Sequence, residues 1–270
     1  MDLDKRISTA LTSASQIVAK YPNNDLNYFN NNLHRYGFTL KTFLESTTGT
    51  KLLDIGCHYL HQAISLSFLG FEVWGLDVPE FLAKDCVQKR AQDANVRLIE
   101  VANLENLDSL TGLAENAFDV IFFTEILEHI AFNPILMWRE IYRVLAPEGK
   151  IIITTPNYYC LFNQSKRIKR SMKRLGGYIP IEDIFTNVTF GHHWKEYSVS
   201  ELKKYFHLLS TDFQITKVIY YNPFGYPVRS FRRGIFYLFG LMFSSLQKNI
   251  YAEVILKEKM TGIQLEQPVH

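Results

Sequence analysis

Two glutamates and a histidine, Glu125-x-x-Glu128-His129, follow directly on the apolar run Phe118–Phe123. Spacings of three and four residues put all three side chains on one face of a helical turn. Two carboxylates crowded into a cleft repel each other unless something positive lies between them. Further along, Gly191-His192-His193-Trp194-Lys195-Glu196-Tyr197 supplies two more imidazoles. Glu125, Glu128, His129 and His193 together offer carboxylate oxygens and imidazole nitrogens, a donor set for one divalent ion such as Mg²⁺, Mn²⁺, Fe²⁺ or Zn²⁺. His192 is the nearest alternative ligand or base. A metal-free reading makes His129, His192 and Glu125 the acid–base candidates. A purely structural reading has His129 cap the turn.

A second group of residues has the spacing of a nucleoside site. Leu52-Leu53-Asp54-Ile55-Gly56-Cys57 is an apolar run ending in Asp-x-Gly, and Glu72–Asp77 is a second apolar run ending in an acid. Such pairs sit at the carboxyl edge of a parallel sheet, where the second acid accepts hydrogen bonds from ribose hydroxyls. The loop Gly56-Cys57-His58-Tyr59-Leu60 holds one glycine where a dinucleotide fingerprint has three. A pyrophosphate needs that glycine-rich cradle, whereas a nucleoside without phosphate does not.

The elements that must position these groups alternate along the chain. Strands are expected at Lys51–Ile55, Glu72–Asp77, Val96–Val101, Phe118–Phe123 and Lys150–Thr155, with helices at Leu60–Leu69, Pro79–Gln92 and Asn133–Leu145 and a turn at Pro147–Gly149. Ser198-Val199-Ser200-Glu201 reads as a helix start. Two late β-rich runs, Gln214–Tyr221 and Ile250–Lys257, predict an antiparallel hairpin at one edge. The fold class is α/β, a mostly parallel sheet with helices on both faces. Residues 1–50 read as an N-terminal helical cap on a domain spanning 51–270. Residues 158–195 form an excursion suited to a lid, and 222–248 a second insertion.

At 270 residues, 47% hydrophobic, the chain can bury a full core. Its net charge of +2 disfavours a nucleic-acid partner. Three cysteines without metal-type spacing, and a start lacking the apolar core of a signal peptide, predict a cytoplasmic protein. Lys166, Arg167, Lys169, Arg170, Lys173 and Arg174 form a cationic run, and Arg229, Arg232 and Arg233 precede the apolar stretch Ile235–Phe243. These runs read either as solvated or packed faces, or as contacts to a phosphate-bearing acceptor or an anionic membrane periphery.

With the strands placed, the chain resembles a class I S-adenosylmethionine-dependent methyltransferase over roughly residues 35–220. Leu52–Cys57, Asp77, Asn103, Phe118–Ile121 with Glu125–His129, and Leu145–Lys150 match that family's motifs in order. The resemblance implies a Rossmann-like seven-stranded sheet and S-adenosylmethionine as methyl donor. Its contacts would come from Asp54, Gly56, Cys57, His58, Asp77, Val78, Asn103, Leu104 and Thr124. Tyr28, His34, Arg35 and Tyr36 are candidates from the N-terminal cap. His58 and Leu60 depart from the family's glycines and turn side chains toward the donor. Glu-x-x-Glu-His with His193-x-x-Glu196-Tyr197 resembles small-RNA 2′-O-methyltransferases, where these segments hold a metal, and ubiquinone-pathway O-methyltransferases share the first segment. The resemblance implies O-methylation. The leading acceptor is a hydroxyl of a sugar or glycoconjugate in polysaccharide biosynthesis. A quinone-like catechol and an RNA 3′ ribose come next, and an inactive methyltransferase-fold binding subunit is the non-enzymatic alternative.

Overall fold

The computed structural model describes residues 2–46, 49–161, 164, 165, 168, 191–223 and 242–268. Seven strands form one sheet in the order β3-β2-β1-β4-β5-β7-β6. They are β1 Lys51–Ile55, β2 Glu72–Asp77, β3 Arg97–Glu100, β4 Phe118–Thr124, β5 Leu145–Pro156, β6 Phe213–Tyr221 and β7 Asn249–Leu256. The first five pair in parallel, and β7 runs antiparallel to both β5 and β6, as the expected edge hairpin requires.

The central strands are mostly apolar because the sheet is covered on both faces. Successive residues point to opposite sides. Leu53, Ile55, Ile121, Phe123, Ile151 and Ile153 enter one core, and Leu52, Val120, Phe122 and Ile152 enter the other. Helices α7 Ile135–Val144 and α8 Val199–Leu209 cover the first face. In α7, Met137, Trp138, Ile141 and Val144 are buried, the stripe of an amphipathic helix. The predicted start of α8 is a capping box. Ser198 Oγ accepts from the Glu201 amide at 3.2 Å, and the Ser198 amide donates to Glu201 Oε2 at 2.9 Å.

The second face is covered by α1 Leu3–Lys20, α3 Leu33–Leu44, α4 His61–Phe68 and α6 Asp85–Asp93, with the short α2 Leu26–Asn31 and α5 Pro79–Leu82 beside them. The predicted helical N-terminal segment is therefore α1 to α3. Two expectations change. The single helix over Pro79–Gln92 breaks at Ala83-Lys84, where Lys84 is extended. The break turns Phe81 onto the His58 ring, at 4.2 Å between centroids, while Val87, Arg90 and Ala91 of α6 face the core. The expected turn at Pro147–Gly149 is a bulge inside β5, because Phe118 pairs Leu145 but Val120 pairs Lys150. The excursion 158–195 and the insertion 222–248 lie largely outside the described residues, as do the cationic runs within them. Among the described residues, no helix is long and apolar enough to cross a membrane.

The strand order reverses between β1 and β4. A crevice opens there at the carboxyl ends of the strands, the place where open α/β sheets bind ligands.

Candidate functional site

The loop after β1 is held by β2. The amides of Gly56 and Cys57 both donate to the Leu76 carbonyl, at 2.8 and 3.1 Å. Gly56 has φ +73°, and a Cβ there would drive into the Ile126 side chain. Cys57 packs over Gly75, and burial raises its thiol pKa. Asp77 ends β2 and accepts from the His58 amide at 2.6 Å and the Val78 amide at 2.8 Å. Both carboxylate oxygens keep lone pairs for ribose hydroxyls. Without family glycines, the loop places His58 at φ 51° and Leu60 at φ 65°, left-handed conformations that side chains strain to adopt. The His58 ring lies against Tyr59 at 4.0 Å, and burial lowers its pKa to about 4, so the imidazole is neutral. Burial first, and the Asp77 charge second, push Asp54 up to about 8.

The second half of the site begins where β4 ends. Glu125 sits at φ 57°, its amide donating to the Thr154 carbonyl at 2.7 Å, and only then does a single turn form at Leu127–His129. This left-handed residue breaks the helical turn that spacing alone predicts, so the three side chains do not share a face. Glu125 accepts from Asn249 Nδ2 at 2.8 Å and faces Arg35 Nη1 at 3.4 Å. Glu128 turns inward and is fully buried, its Oε2 accepting from Thr155 Oγ1 at 2.9 Å. Burial, then the charge of Glu125, raises the Glu128 pKa well above the usual carboxylate range.

The segment after residue 190 clamps this turn. The Trp194 amide donates to the Glu128 carbonyl at 2.7 Å, and His129 Nδ1 donates to the His192 carbonyl at 3.0 Å. That bond fixes the His129 tautomer and leaves Nε2 as the lone-pair nitrogen. Burial lowers the His129 pKa, which keeps the ring neutral. The His193 ring stands 4.8 Å from that of His129. His192 contributes its carbonyl, while its own ring is buried beside Trp194 and does not line the cavity.

One cavity of about 620 Å³ joins the two halves. All nine expected donor contacts line it: Asp54, Gly56, Cys57, His58, Asp77, Val78, Asn103, Leu104 and Thr124. So do Glu125, Glu128, His129 and His193, with Tyr28, Arg35 and Tyr36 from the cap; His34 lines a separate groove between α1 and α3. Of the four expected metal ligands, Glu128, His129 and His193 bring their ligand atoms within 4.8 Å of one another, and Glu125 lies outside that set. The three fit a divalent ion. Glu128 Oε1 is buried without a partner among the described residues, and the imidazoles of His129 and His193 flank it. One carboxylate with two imidazoles suits Fe²⁺, Mn²⁺ or Zn²⁺ better than Mg²⁺, which prefers oxygen ligands. Sequence reasoning passed over His61, Gln62 and Phe81 on the donor side and Ile130 and Phe132 beyond His129. Only their positions just after motif residues could have marked them.

Comparison with known proteins bears on the domain and the fold that hold this cavity. Residues 53–153 match the model of a methyltransferase domain. The mitochondrial ubiquinone biosynthesis O-methyltransferase of Bos taurus is 28% identical over 81% of this chain and 57% of its own length. The ubiquinone biosynthesis O-methyltransferase of Caulobacter sp. (strain K31) is 34% identical over 40% of this chain and 42% of its own length. The chain thus spans about half the length of the curated relatives it matches. Among solved structures, the PH0226 protein of Pyrococcus horikoshii OT3 shares the fold with a TM-score of 0.54 at 16% identity, covering 88% of this chain and 93% of that one. A methyltransferase of Thermotoga maritima gives a TM-score of 0.52 at 15% identity, with 90% and 99% covered. Residues 53–153 are therefore similar to a methyltransferase domain, within a fold shared with these solved structures.

Proposed function

We propose that the chain is an S-adenosylmethionine-dependent O-methyltransferase whose acceptor carries two adjacent oxygens on an aromatic ring, a quinone-like catechol. The observation that carries this reading is the placement of Glu128, His129 and His193 in the same cavity as Gly56 and Asp77. Beyond His129 the wall is apolar, with Ile130, Ala131 and Phe132, which favours a flat ring over a hydrated sugar. The names of both curated relatives, ubiquinone biosynthesis O-methyltransferases, support the same class.

In this reading Asp77, Val78, Asn103 and Leu104 hold the adenosine, and the loop at Gly56–His58 borders the methionine end. The acceptor oxygen attacks the methyl carbon, the carbon–sulfur electron pair stays on sulfur, and the hydroxyl proton leaves to a base. Transfer in one displacement makes positioning the main source of rate. Glu128, His129 and His193 would hold the divalent ion, which lowers the pKa of an acceptor hydroxyl. The neutral His129, fixed through Nδ1, keeps Nε2 for ligation or for the proton. Helices α1 to α3 close one side as a cap through Tyr28, Arg35 and Tyr36.

A second acceptor reading, the glycan hydroxyl with a neighbouring hydroxyl, draws on the cationic run 166–174, which suits a phosphate-bearing glycoconjugate or an anionic membrane periphery. An RNA 3′ ribose offers the same paired oxygens but meets a net charge of only +2. An inactive binding subunit has no need of Asp54, Gly56 and Asp77 at the cavity wall. Methylation of a panel holding 3,4-dihydroxybenzoate, a nucleotide sugar and a short RNA, with Mn²⁺ or with chelator, separates these. Methylation of the catechol in a metal-dependent manner is expected. Transfer to the sugar alone would reassign the acceptor, and no transfer to any would favour the binding subunit.

A further inference from the structure

Arg90 of α6 is fully buried and does not line the cavity. Its guanidinium nevertheless reaches three parts of the chain. Nη1 donates to Asp25 Oδ2 at 2.6 Å and to the Tyr59 carbonyl at 3.2 Å. Nη2 donates to Asp25 Oδ1 at 2.8 Å, to the Tyr21 carbonyl at 2.7 Å and to the Val18 carbonyl at 3.2 Å. Asp25 Oδ2 also takes a hydrogen bond from His61 Nε2 at 2.7 Å. A carboxylate only accepts, so His61 carries its proton on Nε2. Its Nδ1 then accepts from the Tyr36 hydroxyl at 3.3 Å. His61 and Tyr36 line the cavity, and Arg90 and Asp25 stand behind them.

A buried ion pair is a weak device for stability, since apolar residues of similar volume often serve as well. What this pair supplies is geometry. Tyr59, whose carbonyl Arg90 holds, lies between His58 and Leu60, the two left-handed residues of the glycine-poor loop. Such conformations persist only where the surroundings over-determine them. Asp77 grips the loop through the His58 amide on one side, and Arg90 grips it through the Tyr59 carbonyl on the other. The same guanidinium ties down the end of α1 and, through Asp25, the start of α2.

We infer that Arg90 is a positioning residue for methyl-donor binding, holding the loop at Tyr59 and clasping the N-terminal cap through Asp25 and His61. The inference rests on the cavity being the donor site. Arg90→Lys loses the forked contact, and Asp25→Asn is a near-isosteric change that leaves Arg90 in place should the first variant fold poorly. Titration with S-adenosylhomocysteine should show Kd raised about 10- to 100-fold in each variant, a loss of the size that follows from small misplacements. KM for S-adenosylmethionine should rise in parallel, with kcat at saturating donor within about threefold of the parent. The double variant should be no weaker than the worse single one, because both break one network. A lowered unfolding midpoint with unchanged Kd in both folded variants would reduce the clasp to a structural one and overturn the inference. If the parent itself failed to bind S-adenosylhomocysteine, the donor reading would fall instead.

Discussion

Asp54 should make donor binding depend on pH. It lies in β1, 3% exposed, and burial together with the Asp77 charge pushes its pKa up to about 8. At pH 7 the free protein therefore holds a proton on Asp54. S-Adenosylmethionine brings a sulfonium and an ammonium into the cavity, and a positive charge nearby favours the carboxylate. If the bound pKa returns to the ordinary range near ~4, binding releases about one proton per donor at neutral pH. Free protein holds the extra proton below pH 8, so affinity rises as pH rises and levels off above it. The linkage gives about tenfold tighter binding from pH 6 to 7, about fivefold from 7 to 8 and about twofold beyond. Isothermal titration at each pH, in phosphate and in Tris, reads both the slope and the released proton through the buffer heat. Asp54→Asn should flatten the profile. An affinity constant from pH 6 to 8, with the same heat in both buffers, would refute the reasoning.

Three further outcomes follow from the packing. Glu128→Gln removes one of the three proposed ligands and should weaken divalent-metal binding at least about 100-fold, while Thr155→Val, which removes only the hydrogen bond to Glu128 Oε2, should cost about 10- to 100-fold; metal analysis after dialysis measures both. Gly56→Ala combines a left-handed backbone with a clash on Ile126 and should destabilise by at least about 1–2 kcal/mol while abolishing S-adenosylhomocysteine binding, read by thermal shift with and without ligand. Ser198→Ala removes the cap of α8 and should cost about 1 kcal/mol in urea unfolding, with donor affinity unchanged.

The strands were legible because their apolar runs end in residues of sharp chemical character. Asp54 stands near the end of β1 with Gly56 just after it, Asp77 closes β2, and both acids reach the cavity from those ends. The capping box at Ser198 was equally readable, being a local signal. Where sequence reasoning diverged, the cause was backbone or distance. Glu125 takes a left-handed conformation that no spacing rule anticipates, and so it pairs with Arg35 and Asn249 rather than joining Glu128 and His129. The break between α5 and α6 serves the contact of Phe81 with His58, a tertiary demand that overrides helix propensity. Arg90 reads as one more cation on an amphipathic helix. Its partner Asp25 stands 65 residues away, so only the fold discloses the clasp. His192 and His193 were both visible as imidazoles, but which ring faces the cavity depends on the clamp formed by the Trp194 amide and the His192 carbonyl.

The most direct test of the account follows methyl transfer from S-adenosylmethionine to 3,4-dihydroxybenzoate by mass spectrometry, with metal-depleted protein reconstituted with Mn²⁺, Fe²⁺ or Zn²⁺. The account predicts a monomethylated product with S-adenosylhomocysteine formed in equal amount, lost on depletion, restored by metal, and not restored in Glu128→Gln. Equal turnover by the metal-depleted protein and by Glu128→Gln would contradict the role assigned to Glu128, His129 and His193.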